Sequence, residues 1–285
     1  MAGFRYVFID VFTDVPLAGN QLAVFTDARE IPEHLLQQLA TEIGFSETTF
    51  VVPAKSGGHA RVRIFNPSSE MLFAGHPILG TAFVLGGPLQ LGVIELETGR
   101  GIVPVELERD PSGRIVFGRM AQPVPTVEAF DDPASILAAL GISGSELPVE
   151  CYDNGVRHVY VGLPSEAAVA ALRPDLEALK AVPDVGVNCF AGSGSRWKLR
   201  MFAPAFGVPE DPATGSAAGP LACHLARHGR IGWGDEIEIA QGAEIGRPSM
   251  LFARAEGGGG LIDRVEVGGS AVAVARGEYQ LPATV

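Results

Sequence analysis

Residues 63–82 read RIFNPSSEMLFAGHPILGTA and residues 200–221 read RMFAPAFGVPEDPATGSAAGPL. Each stretch begins with an Arg-x-Phe strand pattern, passes through a loop containing proline, and ends in a small-residue turn that opens an apolar helix. Arg63-Ile64-Phe65-Asn66-Pro67 lines up with Arg200-Met201-Phe202-Ala203-Pro204, and Ala74-Gly75-His76 with Thr214-Gly215-Ser216. Phe65 and Phe202 are 137 residues apart, whereas Gly75 and Gly215 are 140 apart, so a three-residue loop insertion is the whole difference. A weaker echo joins Gly19-Asn20-Gln21-Leu22-Ala23-Val24 to Asn154-Gly155-Val156-Arg157-His158-Val159. Self-similarity at this period indicates an internal duplication with pseudo-two-fold symmetry.

The helices that follow, Pro77 to Leu85 and Ala217 to Ala226, are apolar nearly all round. A helix without a polar face must be enclosed. Period-2 or continuous apolar runs read as strands at Tyr6 to Val11, Leu22 to Phe25, Thr48 to Val52, Ala60 to Phe65, Val93 to Glu97 and Ile115 to Phe117. Helical spacing appears at Pro32 to Ile43, closed by Gly44, and at Pro133 to Leu140 and Glu166 to Lys180. The expected architecture is α+β: two similar domains, each a sheet or barrel wrapped around a central apolar helix. Pro123, Pro125 and Asp131-Asp132-Pro133 place the linker between them, giving an N-terminal half of 1–121 and a C-terminal half of 126–277, with residues about 278–285 returning to the first.

The length of 285 residues suits two domains, and 47 % hydrophobic with 19 % charged residues suits a folded chain. A net charge of −12, with no compensating Lys/Arg cluster, argues against nucleic acid as a partner. Every apolar run is too short to span a bilayer, and MAGFRYVFIDVF reads as a first strand instead of an export signal. Three well-separated cysteines, Cys151, Cys189 and Cys223, fit a reducing compartment, which makes the cytoplasm the expected location.

Helix starts attract anions, because their first N–H groups lack intrahelical partners and the dipole is positive there. Gly75 and Gly215 let a ligand approach such starts closely. Two of them can hold a carboxylate and stabilise the negative charge left when a neighbouring carbon loses its proton. No cofactor is called for by this chemistry. Gly-x-Gly-x-x-Gly is absent, Gly257 to Gly260 reads as a hairpin turn, and no metal site is expected, since His224-x-x-x-His228 has no acidic residue between its two imidazoles.

Four motifs in order resemble the phenazine biosynthesis PhzF-like family, within the diaminopimelate epimerase-like fold. They are FIDVFTDVPLAGNQLAVF (8–25), GFSETTFV (44–51), the stretch 63–82, and DPATGSAAGPL (211–221). The resemblance implies a cofactor-independent isomerase or epimerase of a small carboxylated molecule, a site between the two halves, and a homodimer. It implies Glu47, His76 and Asp211 as catalytic residues, with Gly75, Gly215, Ser216, Asn20 and Ser46 binding substrate. A carboxylate bordered by Phe45, Phe50 and Val51 is also expected to have its pKa raised by desolvation, towards a value useful for proton transfer. Read from position alone, Glu47 is a solvated strand-end carboxylate, His76 an N-cap before Pro77, and Asp211 the start of an Asp-Pro turn. Asn20 and Ser46 are equally well explained by turn or capping chemistry.

Related racemases of this fold carry a cysteine just before each motif glycine. Ala74 and Thr214 stand there instead, which weighs against a two-base, two-thiol racemase. The remaining alternative is a non-catalytic protein that binds small carboxylates.

Overall fold

The computed structural model describes residues 2–281. Two compact units emerge. One runs to Ala121 and takes up the chain again from Gly268, and the other is Gln122–Val267. The first contains β1 (Ala2–Val11), β2 (Asn20–Phe25), α1 (Glu33–Ile43), β3 (Glu47–Val52), β4 (Ala60–Phe65), β5 (Glu70–Met71), α2 (Gly75–Leu89), β6 (Val93–Thr98), β7 (Gly101–Arg109) and β8 (Ile115–Gln122). The second begins with β9 (Thr126–Ala129), α3 (Pro133–Leu140), β10 (Glu150–Asp153), β11 (Arg157–Gly162), α4 (Glu166–Ala171), α5 (Leu176–Lys180) and β12 (Gly186–Ser193). It continues with β13 (Arg196–Ala203), β14 (Val208–Asp211), α6 (Gly215–Arg227), β15 (Glu236–Gln241), β16 (Ser249–Gly258) and β17 (Leu261–Gly269), and β18 (Ala271–Leu281) belongs to the first unit.

The duplication is visible in the pairing. β2 runs parallel to β3, β3 antiparallel to β4, β4 antiparallel to β5 and parallel to β6, and β6 antiparallel to β7. The same succession links β11, β12, β13, β14, β15 and β16. Parallel neighbours need a crossover, and α1 supplies it in the first unit while α4 and α5 supply it in the second. The last strand of each repeat is traded: β9 pairs with β10, and β18 pairs with β1. The C-terminal return therefore starts at Gly268 and not near 278, because β18 runs antiparallel to β1 along its length. Residues 282–285 lie outside the described residues.

The repeated Arg-x-Phe motif has a structural cause. Arg63 grips Glu70 of β5 with two parallel bonds of 2.7 and 2.6 Å, and its guanidinium sits 5.2 Å from the Phe65 ring centroid. Arg200 does the same to Glu210 of β14 at 2.9 and 2.8 Å, over Phe202 at 4.9 Å. Each arginine fixes the hairpin that leads into the central helix, in the bidentate geometry that suits guanidinium and carboxylate.

Both central helices are enclosed as their composition requires. α2 packs against β1, β2, β3, β6, β7 and β18, and every residue of α6 from Gly215 to Ala226 is buried. A Cβ on Gly80 would lie 2.6 Å from Leu22 Cδ2, so the glycine lets α2 approach β2. A second layer of core lies outside each sheet. Phe25, Phe50 and Phe65 pack under α1 with Leu36 and Leu39, and Ile136, Val169 and Leu179 hold α3, α4 and α5 against β10 to β13.

Three sequence expectations need correction. The helix expected over Glu166 to Lys180 is two, because Pro174 excludes helical geometry at Arg173 and cannot donate a helical bond. The linker contains a strand, β9, whose partner β10 comes later in the chain. α2 runs to Leu89, four residues beyond the expected Leu85, since Pro88 falls in the last turn where the helix is ending anyway.

Leu79 is fully buried on α2, and Gly19 is left-handed at φ +68° with its would-be Cβ only 2.4 Å from the Val11 carbonyl oxygen. Leu79→Ala is expected to cost about 2–5 kcal/mol, and Gly19→Ala more than about 1 kcal/mol, in denaturant unfolding. Losses of a few tenths would contradict the enclosure of α2 and the constraint on the loop leading to Asn20.

Candidate active site

In the first unit, four of the expected site residues converge. Asn20 opens β2, Ser46 and Glu47 stand at the start of β3, and His76 is the second residue of α2. Ser46 Oγ donates to Asn20 Oδ1 at 3.0 Å, and Asn20 Nδ2 lies 3.2 Å from His76 Nδ1. His76 Nε2 is 3.3 Å from Glu47 Oε2. The imidazole is 4 % exposed and the carboxylate 15 %, so solvent reaches the acid and hardly the histidine. Burial drives the His76 pKa down to about 3, against a backbone hydrogen bond with Gln21 that favours its protonated form. Its contact with Glu47 is therefore between a neutral imidazole and a carboxyl group, without ion pairing. Gly75 heads the same helix.

In the second unit, Asp211 closes β14 and Gly215 and Ser216 open α6. Thr214 Oγ1 donates to Asp211 Oδ2 at 2.6 Å. Gln241 braces this turn, its Nε2 donating to the Asp211 carbonyl at 2.8 Å and to Thr214 Oγ1 at 2.9 Å, while its Oε1 accepts from the Thr214 N–H at 3.0 Å. Pro220 has no N–H for the carbonyl of Ser216 four residues earlier. Asn154 Nδ2 donates to that carbonyl instead, at 2.9 Å. Gln122 Nε2 and Tyr160 OH donate to the Gly215 and Ala217 carbonyls at 2.7 and 2.6 Å. The first-turn carbonyls are thus held by side chains, and the first-turn N–H groups keep the orientation that anions favour. Gln241, Asn154, Gln122 and Tyr160 carry no motif in sequence; only Asn154 fell within the weak echo of residues 19–24.

The two units are not chemically equivalent. Leu22 pairs with Glu47 in one, and His158 with Gly186 in the other, while Thr48 and Val187 face the motif phenylalanines Phe65 and Phe202. Gly186 therefore occupies the place of Glu47. Met201 fills the space there, its Cε 2.4 Å from the would-be Cβ, so a side chain at 186 would require the end of Met201 to move. The carboxylate at this position exists in one unit alone.

The cysteines lie away from these groups in sequence and are all buried and free. Burial pushes the Cys223 thiol up to about 12 and raises Cys151 and Cys189 as well, so none is a ready thiolate. Positions 74 and 214 are the N-caps of α2 and α6 and offer no thiol.

His224 and His228 acquire an acidic neighbour that sequence spacing concealed. Glu150, from β10, places Oε2 3.2 Å from His224 Nδ1 and 3.0 Å from His228 Nε2, and the three donor atoms fall within 4.8 Å of one another. Arg227 Nη1 contacts the same oxygen at 2.8 Å and supplies its positive counter-charge. Burial alone would push the Glu150 carboxyl up, but hydrogen bonds from His224, His228 and Tyr152 together with Arg227 hold it well below the usual carboxylate range. The cluster ties the end of α6 to β10.

His76 and His158 are both buried with pKa values lowered to about 3 by desolvation. Unfolded imidazoles titrate near 6.5, so below that pH the unfolded chain binds more protons than the folded one. Stability is expected to be full above about pH 6.5 and to fall as the pH drops towards 3, with a shallower fall in His158→Gln. Unfolding free energies between pH 7.5 and 5 measure this, and a pH-independent value would contradict the burial of neutral imidazoles.

The family profile described as Phenazine biosynthesis-like protein, PhzC-PhzF, matches residues 9–277. A trans-2,3-dihydro-3-hydroxyanthranilate isomerase from Pseudomonas aeruginosa is 54 % identical over 97 % of this chain and 99 % of its own length. A protein of the same description from Pseudomonas fluorescens is 53 % identical with the same coverage. The crystal structure of a Bacillus anthracis phenazine biosynthesis protein of the PhzF family superposes with a TM-score of 0.85, at 24 % identity, over 99 % of this chain and all of that one. With a match along nearly its whole length to this profile and to these isomerases, the chain belongs to the phenazine biosynthesis-like PhzC-PhzF family and is an isomerase.

Proposed function

We propose that this protein isomerises trans-2,3-dihydro-3-hydroxyanthranilate by moving one proton between ring carbons, with Glu47 as the acid and base and without a cofactor. The identity of 53–54 % to isomerases of that substrate, over 97 % of the chain, supports the choice of substrate. The observation that carries the mechanism is Glu47 itself, a partly accessible carboxylate 3.3 Å from a neutral His76 and without a counterpart at Gly186.

The chemistry of the substrate fits one base. Its two remaining ring double bonds are conjugated with the carboxylate, and loss of the hydrogen on the hydroxyl-bearing carbon spreads charge along them to the carbon that bears the carboxylate. Glu47 takes that proton and returns it to another carbon of the same conjugated path. His76 presents Nε2 to Glu47 and keeps the proton near the ring. Asp211 holds a polar substituent, and Ser216 with the N–H groups at Gly215 binds the carboxylate and the charge that develops on it. Gly75 allows the close approach at α2, and Asn20 and Ser46 orient His76. The three buried thiols suit a reducing compartment, and the protein works in the cytoplasm as a homodimer, as its family resemblance implies. Among the described residues no helix is long and apolar enough to cross a membrane.

Glu47→Gln is expected to bind substrate and to lower kcat by about 10²–10⁴-fold with unchanged thermal unfolding. Steady-state conversion of trans-2,3-dihydro-3-hydroxyanthranilate checks this. Full turnover by the variant would remove Glu47 from the mechanism. A wild-type protein inactive on this compound, yet active on another cyclic carboxylate, would overturn the substrate and keep the base.

A further inference from the structure

The second unit contains a buried chain of side chains that leads to Ser216 and that the proposed reaction leaves without a role. His158 Nε2 is 3.0 Å from Ser216 Oγ, and Asn188 Nδ2 is 3.3 Å from His158 Nδ1. His158 and Asn188 have no solvent exposure. The direction of each bond can be worked out. Asn188 Nδ2 also faces the carbonyls of Gly186 at 3.0 Å and Val159 at 3.4 Å, and carbonyls only accept, so this end of the amide is its NH₂. An amide nitrogen has no lone pair to offer. A protonated Nδ1 of His158 would meet an NH₂ that cannot accept from it, so the contact favours a bare Nδ1, with the ring proton on Nε2. Burial keeps the ring neutral, with its pKa lowered to about 3, so this tautomer is the working form at ordinary pH.

An Nε2–H aimed at Ser216 donates to the serine oxygen. One lone pair of Oγ is used, and the hydroxyl proton stays available for another acceptor. The opposite tautomer would present a bare Nε2, and Ser216 would spend its proton on the histidine. We infer that His158 and Asn188 are positioning residues that keep Ser216 a hydrogen-bond donor towards the substrate carboxylate. This rests on the reading of Ser216 as a substrate contact. The equivalent place in the first unit is Leu22, opposite Glu47, so the device belongs to the anion-holding half alone.

The test swaps the tautomer. In Asn188→Asp a carboxylate replaces the amide, accepts from Nδ1–H, and leaves Nε2 bare. Two-bond proton–nitrogen spectra of histidine-labelled protein are expected to show the His158 proton on Nε2 in the wild type and on Nδ1 in the variant. With trans-2,3-dihydro-3-hydroxyanthranilate, the variant is expected to raise KM about tenfold, the worth of one hydrogen bond to a charged group, with a smaller change in kcat. In a Ser216→Ala background the same substitution should change KM no further. His158→Gln, whose amide nitrogen can only donate, should stay within about threefold of wild type, which guards against a merely structural loss. A wild-type proton on Nδ1 overturns the inference, and so does an undiminished KM effect of Asn188→Asp when Ser216 is already alanine. The inferred tautomer combined with a fully active Ser216→Ala would instead overturn the reading of Ser216 as a substrate contact.

Discussion

Everything in this fold follows from two helices that have no face fit for water. α2 is buried from Gly75 to Phe83 and α6 from Gly215 to Ala226, and the sheet of each unit covers them. Covering a helix also takes its first turn away from solvent, where unpaired backbone groups would be costly. In the second unit the structure meets that cost with side chains: Asn154, Gln122 and Tyr160 donate to the Ser216, Gly215 and Ala217 carbonyls, and Gln241 accepts from the Thr214 N–H, while in the first unit Asn20 contacts the His76 ring. The same amides and hydroxyls hold the site residues in place. Stability and site geometry are thus one set of hydrogen bonds.

Duplication supplied two such helix starts, and divergence at a few register-matched positions gave them different work. Glu47 in one unit corresponds to Gly186 in the other, and His76 to Ser216. One unit carries a group able to take a proton, and the other carries hydroxyl and backbone donors. Met201 Cε fills the space beside Gly186 in the second core, where the first unit carries the Glu47 side chain.

Most of this was legible in the chain. The all-round apolar helices, the repeated Arg-x-Phe and Gly-His or Gly-Ser turns, and the strands between them follow from local patterns of period and turn residues. What escaped was set by distant partners. β9 looks like a linker because its only reason to be extended is β10, and Glu150 looks unrelated to His224 and His228 because it reaches them from another strand. Pro174 was visible, yet the apolar spacing on either side of it read as one helix. His158 lies in the weak echo of residues 19–24 and Asn188 in no motif, and the meaning of both lies in a hydrogen-bond direction that only the Gly186 and Val159 carbonyls reveal.

The central claim is that a carbon-bound proton is lifted by Glu47 and set down on another carbon. It is tested most directly with substrate deuterated at the hydroxyl-bearing ring carbon, converted in ordinary water and followed by proton and deuterium NMR of the product. The account predicts that deuterium leaves its original carbon, part of it reappearing at the newly protonated position and the rest passing to solvent, and that Glu47→Gln does neither. Product that retains all of its deuterium at the original carbon would contradict it.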